Sequence, residues 1–279
     1  MNEQLQGIRD GQKASWDKFS PGWKKWDHLT MSFILPHGEK LIEALQPSGT
    51  DVVLDVAAGT GEPSLTIAPM LDGGKCVVTD LSEGMLQVAA EKAAALGLTN
   101  FETQIADACA LPFEDNTFDK VSCRLGLMFV PDMLLAIQEM TRVLKPGGTF
   151  ATTVWAGPEN NFWVTCMMMN IKKHIDVPTP QPGAPGMFRC AEPGLIAGLC
   201  QEAGLSNVTE DQIPGKMNAD NGEHYWDFMT DVAAPFVGAL SGADEATVEK
   251  VHQDVVASMD EKYPQGGIDT LGIVISGRK

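Results

Sequence analysis

Short apolar runs alternate with segments of helical periodicity between Asp51 and Trp155, and this alternation limits the folds open to the chain. Strands that are buried on both faces are apolar throughout, whereas a helix packed on them needs only one apolar side. The alternation therefore predicts βαβ units and a parallel sheet. With two further apolar runs, the last one antiparallel, the pattern predicts an α/β fold with a doubly wound sheet of seven strands. The strands are expected at residues 52–57, 76–79, 101–106, 120–123, 149–155, 206–213 and 270–276.

Capping and stop signals predict three helices between the strands. The first is expected between Ser82, a capping residue, and Gly97, a stop residue. A second is expected over 132–144, before a tight turn at 145–148, and a third over 193–204 with proline at its first position. The predicted apolar face of the first helix comprises Met85, Leu86, Ala89, Ala93 and Leu96.

The remaining segments are irregular relative to this sheet, and we interpret them as a helical cap. One of them is a loop rich in proline that is expected to pack over the sheet, with Pro178, Pro180, Pro182 and Pro185. The predicted division is an N-terminal helical lid at 1–50, a central core at 51–156, a cap loop and helix at 157–190, a continuation of the core at 191–213, a helical cap insertion at 214–268 and the last core strand at 269–279.

The most informative stretch runs from Val52 to Glu62, where a buried strand enters a turn at Gly59 and Gly61 and opens a helix. Glycine lacks a Cβ and tolerates positive φ, so a ligand can approach main-chain N–H groups closely there. Nineteen residues beyond Gly61 the next strand ends at Asp80, whose carboxylate could accept hydrogen bonds from both ribose hydroxyls of a nucleoside. The two features together predict a cofactor of the adenosine type.

Dinucleotides and S-adenosylmethionine both bind to such a turn, and the residues favour the second. A nicotinamide or flavin fingerprint requires a third glycine where this chain has Ser64. Short-chain reductases also need a tyrosine with a lysine four residues on, and neither Tyr225 nor Tyr263 has one. A nicotinamide-dependent reductase therefore stays open as the less favoured alternative.

Five short motifs follow one another in the core: LDVAAGTG at 54–61, TDLSEGML at 79–86, DACALPF at 107–113, FD at 118–119 and LKPGG at 144–148. In this order the chain resembles the class I S-adenosylmethionine-dependent methyltransferases over about residues 50–155. Within them it is most similar to the ubiquinone/menaquinone-biosynthesis type and its small-molecule relatives. The resemblance implies a Rossmann-like sheet, S-adenosylmethionine as the cofactor with S-adenosylhomocysteine as its product, and cofactor binding by the core.

The resemblance also implies a role for each matched position. Around the methionine portion of the cofactor it places Asp55, Ala57, Gly59, Thr60 and Gly61. It places Asp80 at the ribose, Leu81 and Met85 at the faces of adenine, Asp107 and the Ala108 amide at the adenine edge, and the main chain of Arg124 beside the methionine amino group.

Two positions depart from the family pattern. Ala57 stands where the family commonly has its first glycine, and the change should be tolerated if φ is negative there. Arg124 stands where a smaller residue is usual. Because a cation is repelled by a sulfonium, the Arg124 side chain is expected to point away or to pair with a carboxylate.

Catalytic residues are less evident than cofactor residues. Methyl transfer from a sulfonium depends on alignment and on exclusion of water, and a base is needed only for acceptors such as hydroxyl groups or activated ring carbons. His28 and His224 lie beside aromatics in the cap segments and are candidates for that base, although a purely structural role is the simpler interpretation. Trp16 is the first choice for a lid aromatic that faces the sulfonium, with anchoring of a helix as the alternative.

Composition excludes some partners. Lys and Arg number 20 against 37 Asp and Glu, a formal net charge of −17, which disfavours nucleic acid. The six cysteines are scattered without a C-x-x-C pair, so free thiols in the cytoplasm and no metal site are expected. No apolar run is long enough to predict a membrane span.

The sequence thus predicts an enzyme that methylates a small apolar or aromatic molecule at O, N, S or C. A methyltransferase-fold binding or regulatory subunit without turnover is the main alternative. The residues leave open the substrate, the acceptor atom, the use of a general base, the oligomeric state and the limits of the cap.

Overall fold

The computed structural model describes residues 3–179, 181 and 183–279, and a seven-stranded sheet lies at its centre. The strands are β1 Val52–Val56, β2 Lys75–Asp80, β3 Phe101–Ile105, β4 Phe118–Arg124, β5 Leu144–Trp155, β6 Ser206–Met217 and β7 Ile268–Arg278. Their order is β3-β2-β1-β4-β5-β7-β6. The first five are parallel, and β7 is antiparallel to both β5 and β6. The predicted Rossmann-like α/β sheet and its antiparallel last strand are confirmed.

Helices flank the sheet and fill the segments between strands. They are α1 Glu3–Lys25, α2 Asp27–Leu45, α3 Ser64–Ile67, α4 Glu83–Ala95, α5 Met133–Val143, α6 Phe162–Ile171, α7 Leu195–Glu202, α8 Gly222–Val232, α9 Ala234–Leu240 and α10 Glu245–Lys262. None of the described helices combines the length and the apolar character that crossing a membrane requires. Two residues of the predicted proline-rich loop, Pro180 and Pro182, lie outside the described residues.

Two predicted helix starts form as their capping residues require. The Ser82 hydroxyl accepts a hydrogen bond from the Met85 N–H at 3.1 Å and begins α4. The Asp132 carboxylate accepts one from the Leu135 N–H at 3.0 Å and begins α5. Each bond satisfies a main-chain donor that the first helical turn leaves free.

Two details of the predicted helices are wrong. α4 ends at Ala95, so Leu96 leaves the apolar face and is 63% exposed. α7 begins at Leu195 rather than at Pro193, because Gly194 has a left-handed backbone with φ of 79° and keeps the proline in the preceding turn.

The predicted tight turn at 145–148 is also corrected, because these residues belong to β5. Gly147 has a φ of 80°, and its N–H donates to the Lys279 carbonyl at 2.9 Å. The Lys279 N–H donates in turn to the Gly148 carbonyl at 3.2 Å. Residues 145–148 have the sequence of a turn, but they form the start of β5 because they pair with Lys279, which is far away in the sequence.

The two N-terminal helices have different surroundings. α1 packs against α4 and α8, whereas α2 lies across β4, β5, β6 and β7. α2 buries its apolar side in the core, with Leu29, Phe33, Ile34, Leu41 and Leu45. The insertion between β6 and β7 forms α8, α9 and α10. The division of the chain into core and cap segments stays a prediction.

Gly272 of β7 allows α2 to approach the sheet. A Cβ built on Gly272 would overlap the His37 ring of α2. The His37 ring in turn lies edge-on to Trp155, with centroids 4.6 Å apart. The absence of a side chain at this position therefore sets the distance between α2 and β7.

We expect Gly272→Ala to destabilise the protein by about 1–3 kcal/mol, because the added methyl group would overpack the interface with α2. Chemical denaturation of purified variants measures the change. Gly198→Ala is the matched control, since a Cβ on Gly198 in α7 would meet no atom within 4 Å, and alanine favours helix there by about 1 kcal/mol. Equal stability of the two variants would contradict this account of the interface.

Candidate active site

The turn after β1 brings three left-handed residues to the carboxyl end of the sheet. Gly59 has a φ of 56° and Gly61 a φ of 105°, as the glycine turn predicted. Ala57 also has a positive φ, 54°, so the condition under which alanine was expected to be tolerated there is not met. The next residue explains this, because the Ala58 N–H donates to the Thr79 carbonyl of β2 at 3.0 Å and turns the chain toward that strand. An alanine in this conformation is strained.

The Ala57 methyl group fits against the turn after β4. A Cβ on Gly126 would lie 2.6 Å from the Ala57 Cβ and 2.8 Å from the Cys123 sulfur. Gly126 therefore leaves the space that the Ala57 side chain occupies. This contact joins the turns that follow β1 and β4, on the two sides of the point where the strand order reverses.

Asp55 is fully buried at the end of β1 and holds both neighbouring segments. Its carboxylate accepts hydrogen bonds from the Ser122 hydroxyl at 2.7 Å and the Ser64 hydroxyl at 2.9 Å. Burial raises the pKa of Asp55 to about 6, and the two serine hydrogen bonds oppose this rise. Asp55 thus fixes β4 and the start of α3 around the glycine turn, next to the buried residues Thr60 and Gly61.

Asp80 joins the glycine turn to α4. Its two carboxylate oxygens accept hydrogen bonds from the Gly59 N–H and the Ser82 N–H, both at 2.9 Å. Burial raises the pKa of Asp80, and these main-chain donors oppose the rise. Gly59 itself has open space in front of it, because a Cβ there would meet no atom within 4 Å. Leu81 is half-buried and Met85 is buried at the start of α4.

Asp107 follows β3 and keeps one carboxylate oxygen free. Oδ1 accepts a hydrogen bond from the Cys109 N–H at 2.8 Å. Oδ2 is buried and has no hydrogen-bond partner, although the Arg9 guanidinium approaches it to 3.7 Å. The neighbouring Ala108 is buried. A buried acceptor without a donor suits an amino group such as that of adenine, because buried polar atoms are nearly always paired.

α1 covers the crevice between these residues, and its charged contacts could not be read from the sequence. Asp17 accepts hydrogen bonds from the Ser82 hydroxyl at 2.6 Å and the Gly84 N–H at 3.3 Å. Trp16 lies edge-on to Phe129, which follows β4, at a centroid distance of 5.2 Å. The Asp17 contacts span 65 and 67 residues of sequence, so only the fold brings them together.

Arg124 lies at the end of β4 and has no carboxylate partner among the described residues. Within the residues that the structure describes, its side chain forms no ion pair, and Nη1 is buried without a hydrogen bond. Of the two expected arrangements, pairing with a carboxylate does not occur, because the nearby carboxylates are held by other groups, and a side chain that points away from the sulfonium stays a prediction.

The two candidate histidines lie apart from this group. His28 is exposed on α2. His224 is held at the start of α8, where its Nδ1 lies 3.0 Å from the Asp220 carboxylate. Neither ring forms a hydrogen bond or an ion pair with the predicted cofactor residues among the described parts of the chain. Sequence reasoning gave no role to a third histidine, His37, which is 1% exposed with both ring nitrogens unpaired.

No group of three or more metal-ligating side chains occurs among residues 3–179, 181 and 183–279. The six cysteines are all free and buried. Burial raises the pKa of Cys109 to about 11 and that of Cys123 to about 12. The thiols nearest to the crevice are therefore protonated at neutral pH.

Comparison with known proteins identifies the core. A family model described as a methyltransferase domain matches residues 53–148. These residues form a methyltransferase domain. The predicted resemblance to the methyltransferases is thereby confirmed, and the similar proteins include demethylmenaquinone methyltransferases.

Similar proteins agree with this assignment, some in sequence and others in fold alone. Demethylmenaquinone methyltransferase of Shouchella clausii is 36% identical over 137 residues, which cover 47% of this chain and 58% of that protein. The YcgJ protein of Bacillus subtilis shares the fold with a TM-score of 0.57 and 19% identity, over 87% of this chain and 98% of that one. Phosphoethanolamine N-methyltransferase 2 of Haemonchus contortus, solved with S-adenosylhomocysteine, has a TM-score of 0.58 and 17% identity, over 98% of this chain and 60% of that one. The chain spans about half the length of the curated relatives it matches.

We expect Ala57→Gly to stabilise the methyltransferase domain by about 1 kcal/mol, because glycine adopts a positive φ without steric cost. Thermal and chemical unfolding measure the change. Ala58→Gly, at the next position, is the matched control and should destabilise by about 0.5–1 kcal/mol, since Ala58 has no positive φ. Destabilisation by both substitutions would contradict the strain at Ala57.

We expect Asp55 to make the protein less stable as the pH rises from about 4 to about 6. Its pKa is raised from the ordinary value of 3.8 to about 6 in the folded protein, so the folded state keeps a proton that the unfolded chain releases. The stabilisation is complete below about pH 4 and is lost as the pH passes about 6. Relative to Asp55→Asn, the wild type should lose roughly 2–3 kcal/mol over this range.

Urea unfolding at half-unit pH steps measures this difference. Asp72→Asn is the control for loss of a carboxylate, because Asp72 is exposed. A constant difference between wild type and Asp55→Asn across this pH range would contradict the raised pKa.

Proposed function

We propose that this chain transfers the methyl group of S-adenosylmethionine to a small apolar or aromatic molecule. The observation that carries the proposal is the pair of hydrogen bonds by which Asp80 joins the Gly59 turn to α4. Within a methyltransferase domain, this arrangement puts a carboxylate and a glycine turn at the carboxyl ends of adjacent strands, where ligands bind in open α/β sheets.

The residues present fit the cofactor. The space before Gly59 and the Asp107 oxygen that accepts no hydrogen bond both suit a bound ligand. The contacts that we propose are Asp55, Ala57, Gly59, Thr60 and Gly61 at the methionine portion, Asp80 at the ribose, Leu81 and Met85 at the adenine faces, Asp107 and Ala108 at the adenine edge, and the main chain of Arg124 and the ring of Trp16 at the covered side.

When bound, S-adenosylmethionine supplies an electrophilic methyl group. The chain's own contribution is to orient the reactants and to exclude water, which α1 does through Trp16 and Asp17. Exclusion of water strengthens every charge interaction in the crevice and prevents side reactions. Neither His28 nor His224 forms a hydrogen bond or an ion pair with the proposed cofactor residues in the described structure, so both stay candidates with no contact in their favour.

An aromatic acceptor is favoured over an aliphatic one. Phe33, Trp155 and Trp163 form a cluster of rings with centroids 5.1–6.2 Å apart, between α2 and the end of β5. These rings are buried core side chains, so the substrate would meet an apolar and aromatic part of the domain on this side. The name of the demethylmenaquinone methyltransferases refers to a quinone, and the likeness to them supports a ring-containing acceptor here.

We also propose that nucleic acid is not a partner and that the protein is cytoplasmic. The net charge of −17 supports the first statement. The six free cysteines support the second, since unpaired thiols are typical of reducing compartments.

We expect Asp80→Ala to weaken binding of S-adenosylhomocysteine about ten- to a hundredfold, because hydrogen bonds to a charged group contribute roughly 1.5–3 kcal/mol. Isothermal titration calorimetry measures the affinity, and Asp80→Asn separates loss of charge from loss of volume. His28→Ala, His224→Ala and Asp72→Ala should change the affinity less than about threefold.

Unchanged affinity in Asp80→Ala would count against the proposed site. Release of S-adenosylhomocysteine from S-adenosylmethionine, measured with a panel of phenols, hydroquinones, amines and thiols, tests turnover. Tight binding without release with any acceptor would favour a binding subunit over an enzyme.

A further inference from the structure

The guanidinium of Arg124 is a half-buried charge that forms no ion pair and no side-chain hydrogen bond with the described protein. Nη1 is inaccessible to solvent and unpaired, and no carboxylate oxygen of the described residues lies within the 4.0 Å of an ion pair. A buried charge without a partner destabilises a protein by several kcal/mol. Arg124 lies at the carboxyl end of β4, where a bound reactant could supply the missing anion.

The carboxylates that act on Arg124 are already committed. Burial lowers the pKa of Arg124, and the charges of Glu62, Asp55 and Asp27 oppose this effect. Glu62 accepts hydrogen bonds from Thr66 at 3.2 and 2.9 Å, and Asp27 pairs with a lysine of α4 at 2.8 Å. Asp55 is bound by two serines, as described above. None of these three carboxylates can form an ion pair with Arg124 without losing its present partners.

Two further unpaired polar groups face the same side of the sheet. Thr153 of β5 is the register partner of Arg124, and its hydroxyl is buried without a hydrogen bond. Because side chains alternate along a strand, Thr153 shares a face with Trp155, whose ring contacts His37. His37 has a pKa lowered to about 3 by burial and by the charge of Arg124, so its imidazole is neutral. It can donate one hydrogen bond and accept another, but it cannot neutralise the guanidinium.

The surroundings of these groups are aromatic. The ring cluster of Phe33, Trp155 and Trp163 lies beside His37. An unpaired cation, with neutral polar groups and buried rings on the same side of the sheet, matches an aromatic molecule that carries a negatively charged oxygen.

We propose that Arg124 binds an anionic oxygen, a phenolate, enolate or carboxylate, on an aromatic methyl acceptor. His37 and Thr153 are fully buried on the same side of the sheet. The proposal rests on the proposed function, since it specifies the acceptor of that reaction. Where the anionic oxygen is itself the methyl acceptor, the O–CH3 bond forms as the S–CH3 bond breaks, and the proton of that oxygen has already gone to water, so the chain needs no dedicated base. This agrees with the absence of contacts between the candidate histidines and the cofactor residues in the described structure.

A pair of matched probes tests the proposal without turnover. 4-Nitrophenol and its methyl ether have the same ring, but only the phenol ionises, and its absorbance distinguishes phenol from phenolate. Binding of both is measured by equilibrium dialysis, with and without S-adenosylhomocysteine, above the ionisation range of the free phenol. The wild type should bind the phenolate about tenfold more tightly than the ether.

Substitutions at Arg124 identify the group responsible. Arg124→Met should abolish the preference for the phenolate while the affinity for S-adenosylhomocysteine stays within about threefold, and Arg124→Lys should retain part of the preference. Arg278→Met is the matched control, because Arg278 is exposed at the end of β7, and it should behave as the wild type. Arg124→Met should also unfold at a temperature no lower than the wild type, since it removes a charge without a protein partner.

Several results would overturn the proposal. They are an equal affinity of the wild type for phenolate and ether, a preference that survives in Arg124→Met, and a large loss of S-adenosylhomocysteine affinity in that variant with phenolate binding preserved. The last result would assign Arg124 to the cofactor's carboxylate. If S-adenosylhomocysteine fails to bind the wild type, the proposed function fails, and the titration without it still decides whether Arg124 selects anions.

Discussion

The carboxylate of Asp80 joins the parts of the crevice that would otherwise move independently. One oxygen holds the glycine turn after β1 and the other holds the first turn of α4. In both hydrogen bonds a main-chain N–H donates to a buried carboxylate oxygen. A buried polar group without a partner would lower the stability of the fold. The Ser82 hydroxyl extends this arrangement to Asp17, so the position of α1 over the crevice depends on the same carboxylate.

The strands and the central helices could be predicted because their signals are local. Buried parallel strands are continuous apolar runs, and Ser82 and Asp132 sit where a helix needs an acceptor at its start. The incorrect predictions concern positions where a contact with a residue distant in sequence determines the backbone conformation. The residues before Thr149 have the sequence of a turn, but their pairing with Lys279 makes them part of a strand. Alanine ordinarily has a negative φ, but Ala57 has a positive one because the chain bends toward β2 there.

The candidate site could be located from sequence but not described. The motifs give the positions that follow each strand, because parallel strands bring their carboxyl ends to one edge. They give no information on what covers that edge. The contacts of Asp17 with α4, the closeness of His37 to Arg124 and the lack of an anion beside Arg124 all follow from the packing of α1 and α2. No periodicity or spacing in the first 50 residues predicts them.

The fit of the Ala57 methyl group into the space beside Gly126 and Cys123 means that three positions share one small volume. Residue 126 can become larger only if residues 57 and 123 both give way. Over evolutionary time these positions are free to change as a set and not singly. An alignment of relatives that is examined one position at a time would therefore miss this constraint, because it acts on the total size of the three side chains.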